Sequence, residues 1–143
     1  MDIELDNADR LLRPGFHDGY LLGVELIGSN EAAVKLRKLS GERYSLNLSG
    51  VERLLCNGFA EGNIVSEIYL MSGAPPPLPN LRVLMSPPHA SAAEEYHAKH
   101  EAVLRQKAEL VRQRDLTFVA IEPSYGCELY ALCRSVGITA EST

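Results

Sequence analysis

A histidine beside a carboxylate is the first feature of this sequence that could do chemistry. His17 directly precedes Asp18, and such a pair can act as a general base or bind a metal ion. Adjacent side chains in an extended segment point to opposite faces, however. The competing interpretation is a turn in which Phe16 anchors in the core, Asp18 caps the loop and Gly19 takes an unusual backbone angle.

A second candidate lies on a predicted helix, where Glu94, His97 and His100 are spaced three residues apart. Residues at this spacing share one helix face, so two of them could hold one metal ion. Di-iron bundles use Glu-x-x-His on two helices and add glutamates from two more. The sequence predicts a single long helix, so that pattern is incomplete. The competing interpretation is one packed and one solvated histidine.

The third candidate is Cys127, which follows Gly126 in a predicted turn. A cysteine can be a nucleophile if a nearby base lowers its pKa. The sequence places no histidine beside it, and free cysteine commonly packs as a small apolar residue. The sequence also lacks a phosphate-binding glycine loop with lysine, a GxSxG elbow, an HExxH pair and paired CxxC motifs. We therefore predict no cofactor and lean away from an enzyme.

The elements that must position these residues are mainly antiparallel strands. Apolar and polar residues alternate, with turn residues between the segments, over Tyr20–Ile27, Ala32–Leu36, Arg43–Ser49 and Ile64–Met71. Period-two alternation bounded by turns is typical of half-buried strands, and the short connections predict a meander. The segment Val51–Cys56 stays ambiguous.

One long helix is predicted in the second half of the chain. It follows a proline-rich loop over 72–80 and a short predicted strand, Leu81–Met85. The helix should run over 92–114, with Ser91 and Glu94 as its capping box. Its narrow apolar stripe consists of Tyr96, Val103, Leu104, Leu110 and Val111.

Beyond that helix, Leu116–Glu122 and Cys127–Cys133 favour a C-terminal hairpin over a closing helix. The fold class is therefore α+β: an antiparallel β-meander, as a sheet or a half-barrel, with one long amphipathic helix and a C-terminal hairpin. A chain of 143 residues has the size of one domain. Residues 1–15 are a lead-in that either forms a short helical turn or stays flexible.

Charge and cysteine usage narrow the classes of function. A net charge of −5, 6% aromatic residues and no Trp argue against nucleic acid, and a basic partner or a neutral small molecule fits this charge better. No apolar run approaches the ~20 residues that span a bilayer. Three cysteines without a CxxC motif indicate free thiols, and the acidic N-terminus is unlike a signal peptide. We therefore expect a cytoplasmic protein without a membrane partner.

The step Phe16-His17-Asp18, followed by alternating strands, resembles small bacterial domains among the uncharacterised and polymorphic-toxin immunity proteins. The resemblance covers Phe16–Leu48, about a third of the chain. It implies a compact cytoplasmic β-rich protein that binds and blocks another protein, and it assigns no site residue.

We therefore expect a non-enzymatic protein-binding module, immunity-like or accessory. Its partner would be another protein, and a homodimer through the 92–114 helix or a sheet edge would also fit. Two alternatives stay open. One is a small metal-binding protein or enzyme that uses His17 and Asp18, or His97 and His100. The other is a half-barrel that cups a small apolar ligand.

Overall fold

The computed structural model describes residues 2–142, which form ten strands and two helices. The strands before the helices are β1 (Glu4–Leu5), β2 (Leu11–Arg13), β3 (Tyr20–Ile27), β4 (Glu31–Arg37), β5 (Arg43–Ser49), β6 (Arg53–Asn57) and β7 (Ile64–Met71). The helices are α1 (Leu78–Leu84) and α2 (Glu94–Arg112). The strands after them are β8 (Thr117–Tyr125), β9 (Glu128–Cys133) and β10 (Ser135–Ala140).

The α+β class and the predicted meander are confirmed. Strands β3, β4 and β5 pair antiparallel in sequence order, and Val34 lies opposite both Val24 and Leu46. Val34 and Leu46 are completely buried, whereas Lys35, one residue along, points to the outer face. The alternation in the sequence therefore corresponds to an apolar inner face and a polar outer face.

Eight strands form one sheet in the order β10-β5-β4-β3-β7-β8-β9-β6. Short chain connections join the two ends of this sheet to each other. Strand β10 follows β9 after Arg134 alone, and β6 follows β5 after three residues. The Arg134 N–H donates to the Ser49 carbonyl at 2.9 Å, and the Glu52 N–H donates to the Leu132 carbonyl at 2.8 Å. Strands β5–β6 and β9–β10 thus form one continuous bent ribbon that joins the two ends of the sheet.

The predicted C-terminal hairpin is confirmed as β8 and β9, and apolar residues cover both of its faces. The residues that face the interior of the closed sheet are Val119, Ile121, Cys127, Leu129, Ala131 and Cys133. The residues on the opposite face, which pack under the helices, are Phe118, Ala120, Tyr130 and Leu132. Burial on both faces explains why this segment is an almost continuous apolar run.

Helix α2 is confirmed, but two details of its prediction are wrong. Its buried residues are Leu104, Ala108 and Val111, whereas Tyr96 and Val103 are exposed. The helix contacts the sheet through a narrow face in its C-terminal half. The capping box is not formed: the helix begins after Ala93 without a side-chain cap, and the Ser91 hydroxyl instead lies 2.7 Å from His89 Nδ1.

The strand predicted over Leu81–Met85 is wrong, because the segment belongs to helix α1. Leu81 and Leu84 are three residues apart and both are buried in the second core, as one face of a helix allows. A short apolar run fits a buried strand and a buried helix equally well. Within residues 2–142, neither helix is long and apolar enough to cross a membrane.

The lead-in is a small hairpin, so the predicted helical turn at its leucines is wrong. Strands β1 and β2 pair antiparallel, with Leu5 opposite Leu11, and Leu11 is buried in the first core. Residue 1 of this segment lies outside the described part of the chain. The ambiguous segment Val51–Cys56 largely becomes β6, which pairs with β9.

Candidate functional site

The Phe16-His17-Asp18 step forms a tight turn before β3. The buried Phe16 ring packs edge-on against Tyr44, with centroids 5.4 Å apart. Asp18 donates its N–H to the Val65 carbonyl at 2.9 Å and has a φ of 61°. The unusual angle expected at Gly19 therefore falls on Asp18. A glycine is needed at position 19 because the turn lies close to the backbone of β4. An added Cβ would lie 2.6 Å from the carbonyl oxygen of Arg37.

His17 lies on the surface of this turn among carboxylates. Its Nδ1 is 2.8 Å from the Ser66 carbonyl oxygen and 3.7 Å from Glu67 Oε1, and its Nε2 is 3.7 Å from Asp18 Oδ2. The hydrogen bond to Ser66 and the charges of Asp18 and Glu67 raise the pKa of His17 above its usual value. Because the ring is 66% exposed, this cluster lies at the surface and is not a closed catalytic pocket.

The candidate metal ligands lie on the first turns of α2. Glu94 is exposed, whereas His97 and His100 are partly buried on the side of the helix that continues to Leu104. His100 Nε2 is buried without a hydrogen-bond partner among residues 2–142. In the same part of the chain, no group of three or more His, Cys, Asp or Glu side chains is positioned to hold a metal ion.

Cys127 lies inside the closed sheet and is 1% exposed. Burial, followed by the neighbouring Cys56 thiol, raises the pKa of Cys127 to about 11. Its backbone N–H donates to Asn63 Oδ1 at 2.9 Å. A thiol with a raised pKa is a poor nucleophile near neutral pH, because the thiolate is the reactive form.

The structure distributes the candidate residues over three separate parts of the fold. His17 and Asp18 lie at the rim of β7, the two histidines lie on α2 outside the sheet, and Cys127 lies in its interior. That interior is packed with apolar side chains, among them Phe16, Leu36, Leu46, Leu48, Ile121 and Leu129.

A feature that sequence reasoning missed is the free edge of β3. This strand pairs with β7 in register at Tyr20 and Ile64 alone, and its last backbone bond on that side runs from the Leu21 N–H to the Asn63 carbonyl, at 2.9 Å. Among the described residues, no strand covers this side of residues 23–27. The edge exposes Leu22, Leu26 and Ile27, and Leu26 is 72% exposed.

Two cavities adjoin this edge and share Leu22. The first has a volume of about 310 Å³ and is lined by Tyr20, Arg37, Phe59 and the loop that leads into β7. The second has a volume of about 380 Å³ and is lined by residues of β3 together with Lys35, Arg43 and Glu141. A chain laid along the β3 edge would therefore reach the first cavity at Leu22, and the second cavity would lie beside it on the outer face of β3, β4 and β5.

Two arginines stand side by side on the outer face next to these cavities. Arg37 on β4 lies directly opposite Arg43 on β5, and the Arg37 guanidinium lies 4.7 Å from the centroid of the Tyr20 ring. No ion pair within residues 2–142 involves either arginine. Like charges directly opposite each other on a sheet are destabilising.

No protein-family model, no curated protein and no solved structure matches this chain. The β3 edge and its neighbours offer unpaired backbone groups, exposed apolar side chains and two positive charges side by side without an ion-pair partner among residues 2–142.

Proposed function

We propose that this protein is a non-enzymatic binding module that recognises another protein by adding one strand of it to the free edge of β3. The observation that carries the proposal is that residues 23–27, which pair with β4 on one side, have no strand on the side toward β7 beyond the register pair between Tyr20 and Ile64. Extended segments of partner proteins add to exposed edges through main-chain hydrogen bonds, and side-chain pockets supply specificity.

The side chains on this edge support the proposal. Edge strands are usually protected by shortness, lysine, proline or a bulge, since a long apolar edge invites pairing with another chain. Strand β3 has eight residues and exposes Leu22, Leu26 and Ile27. Its protection is limited to the bulge between Leu21 and Gly23 and to the charge of Glu25.

The proposal agrees with the resemblance to immunity-like proteins, whose activity is to bind and block a partner. We also propose that the protein is cytoplasmic, because the reducing environment there keeps thiols free. Cys56, Cys127 and Cys133 are all free thiols.

A second copy of the chain is the other molecule that could pair with this edge, and oligomeric state distinguishes it from a different protein.

The test compares Leu26→Lys with Leu39→Lys. Leu39 is 67% exposed and lies in the turn between β4 and β5, so it is a matched control for the 72% exposed Leu26. Tagged forms of the wild type and both variants are purified from the native host. We expect one protein to be retained by the wild type and by Leu39→Lys and to be lost with Leu26→Lys.

Hydrogen exchange then locates the contact on the wild-type protein. In the purified complex, amides of residues 22–27 should exchange at least tenfold more slowly than in the free protein, because a new strand protects them. A partner that Leu26→Lys retains, or protection confined to α2, would disprove binding at this edge. A stable dimer that Leu26→Lys converts to a monomer would identify a second copy as the occupant and overturn recognition of another protein.

A further inference from the structure

From the two cavities and their charges, we infer that the segment bound at the β3 edge is acidic: it places a carboxylate on Arg37 and Arg43 and an apolar side chain against Phe59. This inference rests on the proposed function, since it describes the partner of the same edge. It goes further by specifying the chemistry of that partner.

The two cavities meet at Leu22, where β7 stops covering β3 and the free edge starts. An added strand that runs along residues 23–27 therefore ends over the first cavity. Arg37 lines that cavity, and Arg43 lines the second one.

Two of the three carboxylates that line the cavities already have partners on this chain, whereas Glu25 on β3 has no ion-pair partner among residues 2–142. Glu61 accepts a hydrogen bond from the Tyr125 hydroxyl at 2.7 Å, and Glu141 accepts one from Lys35 Nζ at 2.5 Å. Within residues 2–142, Arg37 and Arg43 have no such partner.

A carboxylate from a bound strand would relieve the repulsion between the two guanidinium groups. An arginine binds a carboxylate through two parallel N–H donors, which makes the contact both directional and strong. The Tyr20 ring under Arg37 holds that guanidinium in place beside the first cavity. The two cavities are lined by three cations, Lys35, Arg37 and Arg43, and by three carboxylates, Glu25, Glu61 and Glu141.

Phe59 lies in the loop between β6 and β7, lines the first cavity and is 53% exposed. Tyr20 lines the same cavity. An aromatic or aliphatic side chain of the bound strand can pack against the Phe59 ring, as anchor residues do at the centre of protein interfaces. The recognised sequence is therefore an extended segment with an acidic residue close to an apolar one.

The test is a selection from a library of random twelve-residue peptides displayed on phage, with the full-length protein as bait. We expect enrichment of peptides that carry Asp or Glu close to an aromatic or aliphatic residue. A synthetic copy of an enriched peptide should bind about tenfold more weakly to Arg37→Gln and to Arg43→Gln. Arg53→Gln, an exposed arginine on β6 at the other end of the sheet, is the matched control and should bind as the wild type does.

A charge-reversed bait, Arg37→Glu with Arg43→Glu, should select basic peptides instead, provided that its circular dichroism matches the wild type. If that bait fails to fold, the two single Gln variants decide the question. If the selected peptides no longer bind Leu26→Lys but bind both Gln variants with wild-type affinity, the acidic partner is refuted and strand addition at the β3 edge still stands. Peptides that Leu26→Lys retains, or a selection that enriches none, would overturn both proposals.

Discussion

The backbone N–H of Cys127 donates to the side-chain oxygen of Asn63 at 2.9 Å, across 64 positions of sequence. The same Asn63 oxygen accepts the Ala60 N–H at 2.9 Å, and its amide nitrogen donates to the carbonyls of Leu21 and Ala60. Asn63 is 4% exposed. One buried amide thus joins the loop behind the first cavity, the start of β3 and the turn between β8 and β9.

Replacing Asn63 with alanine should destabilise the protein by about 2–4 kcal/mol. The change leaves two N–H groups without their acceptor and two carbonyls without a donor, and each buried unsatisfied group costs about 1–3 kcal/mol, partly offset by water. Urea unfolding followed by circular dichroism measures the change. Asn57→Ala, at an exposed position on β6, is the control and should change stability by less than about 0.5 kcal/mol. Equal stability of both variants would show that the Asn63 network is not a major stabilising contact.

Asn63 also shows which features the sequence could not reveal. The alternation in β3, β4, β5 and β7 is local, because each strand has one buried face, and it predicted these strands nearly to the residue. The run Glu61-Gly62-Asn63 before β7 also has the residue types that favour a turn. Nothing local indicates that the Asn63 amide bonds to Cys127, because that contact forms only when β7, β8 and β9 are paired.

The Arg37–Arg43 pair and the free edge of β3 could not be predicted from the sequence for the same reason. The pairing of Arg37 with Arg43 requires the register between β4 and β5, and the free edge of β3 requires knowing where β7 begins to pair. Strand β10 pairs with β5, more than eighty positions earlier in the chain. The His17 and Cys127 motifs were visible because they are short and local, but local motifs do not show whether side chains converge.

The packing of α2 can be tested at two adjacent residues. Leu104 is completely buried in the second core, whereas Val103 is 37% exposed. Leu104→Ala should lower the free energy of unfolding by about 2–5 kcal/mol, because it removes buried apolar contacts and leaves a cavity. Val103→Ala should lower it by less than about 1 kcal/mol. Chemical unfolding of both variants gives the comparison, and a larger loss at Val103 would mean that the helix is rotated from its position here.

The three thiols should differ in reactivity. Cys56 is exposed, whereas Cys127 and Cys133 are buried. Burial raises the pKa of the Cys56 thiol as well, but it raises those of Cys127 and Cys133 to about 11 and about 12. At about pH 8 the folded protein should therefore react at one thiol with a disulfide reagent, and at three after unfolding. Cys56→Ser should remove the reaction of the folded state. Rapid reaction of a second thiol in that variant would contradict the burial of the two core cysteines.

The environment of His17 predicts a dependence of stability on pH. The hydrogen bond to the Ser66 carbonyl, followed by the carboxylates of Asp18 and Glu67, raises the pKa of His17 above 6.5 in the folded protein. The protonated ring is then favoured by folding, so its contribution is fully present below pH 6.5 and is lost as the pH rises through the folded pKa.

Accordingly, the stability lost on His17→Gln should be larger at about pH 5.5 than at about pH 8.5, because the protonated ring is the form that folding favours. Unfolding in urea at the two pH values measures the difference. Titration of the His17 ring protons by NMR provides the direct check, with a midpoint expected above 6.5 in the wild type. Glu67→Gln should lower that midpoint, because it removes one of the carboxylates near the ring. A wild-type midpoint at or below 6.5 would contradict the contacts seen around His17, and a midpoint unmoved by Glu67→Gln would assign the raised pKa to Ser66 and Asp18 alone.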